Sequence, residues 1–267
     1  MAASRKRWDS IYANTNPFSL PQHIASGVKS AARARTNGPG AERLRCLWVY
    51  VTARGGSGSS QPPLAADEWL SILDESAALG SECVVISTGA GLDAHPEILA
   101  MCSWAQETHG MLVGLHVYKK PLTKAETAKL TTLDQPHFAL FVDSEILSDM
   151  PDAEDMGIRV YQADCDGREL TVGDCTFPES MTCVGPSGEM FACGYVYGSK
   201  KYARGHCLER ELSAVMSDEA IPHMIPRGDP GTKRRCNGCP PLMQRMLENN
   251  AHDVRPAKSN GNGKKQA

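Results

Sequence analysis

The stretch LWVYVTARGGSGSSQPP, residues 47–63, decides the fold because an apolar strand runs there directly into a glycine- and serine-rich loop. Residues Leu47 to Ala53 are apolar almost throughout, which predicts a strand buried on both faces. An amphipathic helix is predicted next, over 67–79. A strand, a loop and a helix in this order are typical of α/β proteins whose sites lie at the strand ends.

The same alternation continues for about a hundred residues. Further strands are predicted over 82–88, 111–117, 137–143 and 158–163, with helices over 96–109 and around 123–131. Strand–helix repeats of this length favour parallel strands joined by crossovers. Five strands are too few for a closed eight-stranded barrel. The predicted fold class is therefore α/β, an open, partial parallel βα barrel over 46–164, followed by a small cysteine-rich α+β domain over 165–245.

Length and hydropathy limit the protein class. At 267 residues the chain has room for one large domain, or for a domain with a small appendage. No apolar run approaches the roughly 20 residues that span a bilayer. The first ten residues, MAASRKRWDS, lack the apolar core of a signal peptide. We therefore expect a cytoplasmic protein that does not enter a membrane.

Charge is concentrated at the two ends of the chain. Residues 1–45 carry a net charge of +6 and residues 251–267 a net charge of +3, which leaves −12 on the body between them. The first segment also contains aromatic and aliphatic residues, as an arm that wraps a neighbouring chain would. We expect residues 1–45 to bind a protein partner in a homo- or hetero-oligomer. Nucleic acid is the less favoured partner for this segment, and the alternative is a tail that contacts only solvent. Residues 246–267 are predicted to be disordered.

Seven of the ten cysteines lie between residues 165 and 239. Cys175 and Cys193 flank Gly188 in the pattern C-x12-G-x4-C, and a hairpin is predicted between them with its turn at 186–188. Later, CNGC presents Cys236 and Cys239 on one short turn. Two ligand pairs from distant segments are typical of a small domain built around a metal centre. The predicted metal ligands are therefore Cys175, Cys193, Cys236 and Cys239.

The other cysteines have weaker patterns. Cys183 and Cys207 are alternative ligands, and Cys165 is a third. Three more fall in predicted strands or a helix, where a free cysteine is usually a buried core residue: Cys46, Cys83 and Cys102. Disulfides are disfavoured without a secretion signal. Four thiolates also form a common structural zinc site, so zinc is the alternative to an iron–sulfur cluster.

The chain from about residue 46 to 245 resembles the radical S-adenosylmethionine (SAM) enzymes that carry a C-terminal twitch or SPASM domain. The resemblance rests on the strand–helix repeats, the pattern from Cys175 to Cys239, and the segment YARGHCLERELSAVM at 202–216. It implies a partial βα barrel of about six strands. It also implies one auxiliary-type [4Fe-4S] cluster held by Cys175, Cys193, Cys236 and Cys239.

The resemblance fails at two places where that family does its chemistry. Its loop after the first strand carries three cysteines that bind the SAM-cleaving cluster, and here their positions fall on Gly55, Ser59 and Pro62. Its second strand is followed by a glutamate that holds the SAM amino group, and here Gly91 stands in that position. The resemblance therefore implies a scaffold that has lost SAM binding and radical chemistry.

Other chemistries find little support in the sequence. The serines Ser57, Ser59 and Ser60 lack a nucleophile elbow, and the glycine-rich loop lacks the lysine of a phosphate-binding motif. His95 and His116 fall near strand ends, where a histidine is more often packed than catalytic. We therefore expect no catalytic residues and a structural or interaction subunit of a larger assembly. The alternatives are an iron–sulfur enzyme or electron-transfer protein that uses the remaining cluster, and a zinc-stabilised binding protein.

Overall fold

The computed structural model describes residues 44–52, 62–151, 153–163, 177–221 and 224–226. The two charged ends and most of the glycine-rich loop lie outside these ranges, and the predictions made for them stay predictions. The described strands are β1 (Cys46–Tyr50), β2 (Cys83–Thr88), β3 (Leu112–Val117), β4 (Phe138–Val142), β5 (Val160–Gln162), β6 (Met181–Val184), β7 (Glu189–Phe191) and β8 (Ala203–His206). The described α-helices are α1 (Ala66–Ala78), α2 (Glu97–Ser103), α3 (Lys124–Leu130), α4 (Ser144–Leu147) and α5 (Leu212–Met216).

The strands form one open eight-stranded sheet in the order β5-β4-β3-β2-β1-β6-β7-β8. Strands β1 to β5 are parallel neighbours in chain order, as the strand–helix repeats predict. On its other side β1 pairs in parallel with β6, so that Trp48 faces Cys183. The sequence does not predict this pairing. The mixed α/β class and the open sheet are thereby confirmed.

Side chains alternate between the two faces of the sheet. On β1, Leu47 and Val49 face a large apolar core that also contains the buried residues of helices α1, α2, α3 and α5. Cys46, Trp48 and Tyr50 face the opposite side, which we call the inner face. Both sets are buried, which explains why the strand reads as a continuous apolar run.

Local chemistry determines where the helices begin and end. The side chain of Thr123 accepts a hydrogen bond from the Glu126 amide, and the Glu126 carboxylate accepts one from the Thr123 amide, so α3 starts with a capping box. The helix predicted over 96–109 is α-helical only to Ser103 and continues as a π-helical turn over Trp104–Thr108. Gly110 then ends it with φ of +65°, a backbone conformation suited to glycine.

The predicted hairpin is present. Strands β6 and β7 are antiparallel and flank the turn at residues 185–188, where Gly188 has φ of +97°. Beyond β7, a 3-10 turn over Gly194–Val196 leads back towards β8. Among the described residues no helix is long and apolar enough to cross a membrane.

Candidate functional site

The inner face carries a line of hydrogen-bonded polar side chains from neighbouring strands. Trp48 Nε1 donates to Ser87 Oγ at 2.7 Å, and Ser87 Oγ lies 2.9 Å from His116 Nδ1. His116 Nε2 lies 2.9 Å from Asp143 Oδ1, at the residue that follows β4. Because an indole nitrogen only donates, Ser87 has an acceptor role towards Trp48 and can donate its own proton to His116. We call these four residues the inner-face relay.

The relay has the residue types of a serine hydrolase triad without the access that catalysis requires. Ser87 is fully buried and His116 is only 3% exposed. A serine nucleophile must reach a substrate carbonyl beside an oxyanion hole, and the buried Ser87 hydroxyl instead accepts a hydrogen bond from the Trp48 indole. The interpretation of His116 as a packed, hydrogen-bonded histidine is confirmed.

Aromatic rings fill the space over β1 on the inner face. The ring centroids of Trp48 and Tyr195 lie 5.3 Å apart, and those of Tyr50 and Tyr197 lie 5.2 Å apart. Gly194 passes so close to Trp48 that an added Cβ would stand 2.6 Å from the indole. Tyr50 Oη also donates to the carbonyl of Gly194 at 3.3 Å. The turn after β7 is thus packed directly onto the inner face of β1.

The carboxyl ends of β1, β2 and β3 are tied together by Thr52 and Tyr118. The Gly89 amide donates to Thr52 Oγ1 at 2.6 Å, and Tyr118 Oη donates to the Thr52 carbonyl at 2.8 Å. The ring of Tyr118 lies against Gly89, where a Cβ would stand 2.6 Å from it. Thr52 and Tyr118 therefore lie at the strand ends at which α/β proteins usually bind ligands.

A carboxylate from another element lies beside Gly91. A Cβ at residue 91 would stand 2.2 Å from Glu126 Oε1. Glu126 is buried and accepts hydrogen bonds from the amides of Thr123 and Asp93 and from the Thr123 hydroxyl. Burial raises the pKa of Glu126, but these hydrogen bonds together outweigh it and leave the pKa below the ordinary glutamate value. A fixed, charged carboxylate thus fills the place next to Gly91.

Of the four predicted metal ligands, Cys193 is the one within the described residues. It is buried on the inner face, and its Sγ accepts a hydrogen bond from the Tyr195 amide at 3.3 Å. Cys175, Cys236 and Cys239 lie outside the described ranges, as does Cys165. The structure therefore leaves the proposed ligand set untested.

Three further thiols share the inner face with Cys193. Cys46, Cys83 and Cys183 are all buried there, and Cys83 Sγ donates to the Arg45 carbonyl at 3.6 Å. Burial, followed by these neighbouring thiols, holds the pKa of Cys46 well above its usual range. Burial and then Cys193 do the same to the pKa of Cys183. The expectation that Cys46 and Cys83 are core residues is confirmed, as it is for Cys102, which lies on helix α2 in the large apolar core.

The remaining predicted positions are scattered. Cys207 is half-buried after β8, and burial raises the pKa of its thiol to about 11. His95 pairs with Glu97 at 3.1 Å, and Pro62 is exposed. Gly55, Ser57, Ser59 and Ser60 lie outside the described residues. Within the described ranges, no group of three or more histidines, cysteines or acidic residues is arranged to hold a metal ion.

Sequence reasoning missed three residues of this region: Ser87, Asp143 and Glu126. Ser87 reads as an ordinary member of strand β2, and Asp143 as the polar residue that follows β4. Polar residues at the ends of adjacent parallel strands were a usable signal, because such ends meet at one edge of the sheet. Glu126 carries the capping-box spacing to Thr123, but that spacing does not reveal its contact with Gly91.

Comparison with known proteins gives distant structural likenesses only. No protein-family model matches the sequence, and no curated protein matches it. The fold is similar to BtrN in complex with AdoMet and 2-DOIA, at 12% identity and a TM-score of 0.47, over 66% of this chain and 83% of that chain. It is also similar to Streptococcus suis SuiB bound to S-adenosylmethionine, at 11% identity and a TM-score of 0.46, over 78% of this chain and 70% of that chain. Likeness at this level assigns neither a family nor an activity.

Proposed function

We propose that this protein is a non-catalytic, radical-SAM-like iron–sulfur protein that serves as a structural or interaction subunit of a larger assembly. The observation that carries the proposal is the contact between Gly91 and Glu126. In the family that the sequence resembles, the residue at this position extends a glutamate towards the SAM amino group. Here the position has no side chain, and the Glu126 carboxylate lies 2.2 Å from where a Cβ would be.

Glu126 is a poor replacement for the missing glutamate. Its oxygens already accept hydrogen bonds from Thr123 and Asp93, and these bonds hold the start of α3. Three of the roughly four acceptor positions of the carboxylate are thereby used within the protein. The proposal thus rests on two observations. Residue 91 carries no carboxylate, and the space beside it is filled by Glu126, which caps the start of α3.

The packing of the inner face supports the same conclusion. Trp48, Tyr50, Tyr118 and Tyr195 cover the strands from which a barrel enzyme would bind its substrate. Among the described residues, these rings contact one another and pack over the inner face of β1 and β3. The aromatic packing of the inner face and the glycine at position 91 are two independent reasons to expect an inactive scaffold.

The proposed [4Fe-4S] cluster is held by Cys175, Cys193, Cys236 and Cys239, and it stabilises the C-terminal third. What supports it is the position of Cys193, a buried sulfur that accepts an N–H hydrogen bond, as cluster thiolates commonly do. Met181 and Ile225, which lie near the two segments that contain the other three ligands, pack in the same inner-face core. About ten residues separate Ile225 from Cys236 in the sequence. A chain of that length can span roughly 30 Å, which is long enough for Cys236 to reach Cys193.

The proposal is tested by asking whether the protein still uses SAM. Full-length protein, reconstituted anaerobically with iron and sulfide, should show no calorimetric binding of SAM at micromolar concentrations. With dithionite as the reductant it should release no 5′-deoxyadenosine above the background of a cluster-free sample. Turnover above that background would mean that the loop after β1 still provides a catalytic cluster, and the proposal would be wrong.

A further inference from the structure

The segment that joins β4 to β5, residues 144–158, carries charge of one sign only. It contains five acidic residues and no lysine or arginine. Four of these acidic residues are described, and all four are exposed: Glu145, Asp149, Glu154 and Asp155. None of the four forms an ion pair with another described residue, whereas Glu82, on the loop before β2, pairs with Arg45. We call residues 144–158 the acidic edge.

Short hydrogen-bonded turns hold the acidic edge against the large apolar core. The Asp149 amide donates to the Ile146 carbonyl and the Met156 amide to the Ala153 carbonyl, both at 3.1 Å. Ile146, Ala153 and Ile158 are buried, so these turns are anchored from below. Three apolar side chains of the same segment are only partly buried and pack against that core: Leu147, Met150 and Met156. The surface therefore presents carboxylates and accessible apolar side chains within one short segment.

The acidic edge also leads into the last strand on its side of the sheet. Among the described residues, β5 pairs with β4 alone. In β5 the side chain of Tyr161 is partly buried and that of Gln162 is exposed. An edge strand of this kind can accept a further extended chain through its backbone groups. A peptide bound here would meet carboxylates, apolar side chains and a strand edge together.

The sequence contains a segment that complements this surface. Residues 5–12, RKRWDSIY, begin with three consecutive cations and then carry three apolar or aromatic side chains: Trp8, Ile11 and Tyr12. These residues lie outside the described ranges. Cations favour a surface of unpaired carboxylates, and large aromatic side chains are typical anchors of an interface. Methionine side chains adapt in shape to such anchors and make favourable contacts with aromatic rings.

We propose that residues 5–12 of one copy bind the acidic edge of a second copy, so that two chains exchange their arms. The inference rests on the proposed role of the protein as a subunit of an assembly, and it names the surface and the partner. Mutual exchange about a two-fold axis gives two identical contacts, and linked contacts hold more tightly than either alone. An arm that bound its own chain would leave the protein monomeric.

A charge swap in the full-length chain tests the contact. Glu154→Lys with Asp155→Lys reverses the charge of the surface, and Arg5→Glu with Lys6→Glu reverses that of the arm. A further protein carries all four substitutions. Association is measured by analytical ultracentrifugation over a range of protein concentrations. The measurement is made at about 0.1 M and about 1 M salt, between which the Debye length falls from about 10 Å to about 3 Å.

The matched control reverses two carboxylates away from the acidic edge. Glu209 and Glu219 are exposed, and Glu209 follows β8, the strand at the other end of the sheet. Glu209→Lys with Glu219→Lys changes the net charge by the same amount as the surface variant. It therefore separates a contact at the acidic edge from a general effect of net charge on association.

We expect the unmodified chain to dimerise, and more weakly at high salt. Reversal of the arm or of the acidic edge should raise the dissociation constant by about tenfold or more, and the combined swap should restore it to within about threefold. The control should also stay within about threefold of the unmodified chain. The proposal is overturned if the unmodified chain is monomeric throughout, if the control weakens the dimer as much as the surface variant, or if the combined swap restores nothing.

A second measurement applies if the arm variant is insoluble. A synthetic peptide of residues 1–16 is then added to the full-length protein, and a dimer that the peptide does not dissociate overturns the proposal. Neither measurement involves iron or SAM. Turnover of SAM by a protein that still dimerises in this way would contradict the proposed function and leave the docking contact standing.

Discussion

At residue 91 the absence of a side chain matters because the Glu126 carboxylate lies where a β-carbon would stand. The 2.2 Å separation from Oε1 is far shorter than any real Cβ contact. Glu126 cannot move away freely, since its oxygens hold the amides of Thr123 and Asp93. Adding a methyl group at residue 91 therefore tests whether the Glu126 carboxylate is held in place, as its hydrogen bonds indicate.

The Gly91→Ala substitution should lower the free energy of unfolding by about 1–3 kcal/mol, measured by urea denaturation, because the methyl group overpacks a buried site. The matched control is the same substitution in a Glu126→Ala background. There the methyl group should cost much less, although Glu126→Ala alone costs about 1 kcal/mol through loss of the capping box. If Gly91→Ala lowers the free energy of unfolding equally in both backgrounds, the contact between residue 91 and Glu126 is contradicted.

At the scale of elements, the turn over Gly194–Val196 and strand β1 act as one packed unit. Gly194 lies against the ring atoms of Trp48, and its carbonyl accepts a hydrogen bond from Tyr50. The indole is in turn held by its bond to Ser87 on β2. Because an indole is rigid, the turn has no flexible neighbour that could give way to a larger residue.

We therefore expect Gly194→Ala to destabilise the fold by about 1–3 kcal/mol and to displace the turn from β1. The displacement should appear as a changed emission of Trp48, measured in a protein whose other three tryptophans, Trp8, Trp69 and Trp104, are replaced by phenylalanine. In a Trp48→Leu background the alanine should cost less, since the rigid ring is gone. An unchanged emission and stability would show that the turn can relax elsewhere.

At the scale of the whole molecule, β6 to β8 continue the sheet that β1 to β5 begin. Residues 181–206, which lie within the cysteine-rich region, therefore contribute to the same sheet as the parallel strands. Cys193 belongs to this shared inner-face core, with Cys46 and Cys183. A metal centre bound through Cys193 would consequently stabilise the sheet as well as the C-terminal third.

Metal analysis after anaerobic purification tests the ligand set. We predict about four irons and four sulfides per chain, as a [4Fe-4S] cluster requires. Cys236→Ala or Cys239→Ala should abolish the brown colour and destabilise the C-terminal third. Cys102→Ala, which changes a buried thiol of helix α2 in the large apolar core, should keep the iron. Stoichiometric zinc without iron would overturn the cluster and leave the ligand assignment standing.

The basic N-terminal arm is the proposed docking element of the assembly. Deleting residues 2–40 should abolish association, measured by light scattering and by pull-down with the full-length chain as the control. If the deleted protein assembles as the full-length chain does, the arm is not the docking element. A steep loss of affinity with salt, measured against a nucleic acid, would favour nucleic acid as the partner.

The sequence by itself determined the elements that depend on local pattern. Continuous apolar runs located β1 to β5, the glycine-containing turn located the β6–β7 hairpin, and the spacing from Thr123 to Glu126 agrees with the start of α3. These features follow from residues close together in the chain, where periodicity, turn residues and capping act directly. The expected burial of Cys46, Cys83 and Cys102 follows from the same patterns.

Only the tertiary structure decided which distant residues meet. The pairing of β6 with β1, the contact of Glu126 with Gly91 and the relay from Trp48 to Asp143 each join residues far apart in the chain. Strand order and register set these contacts, and a shift of one residue would turn Trp48, Ser87 and His116 to the opposite face. Local pattern therefore predicts that a strand is buried on both faces, while the sheet decides which of its side chains meet.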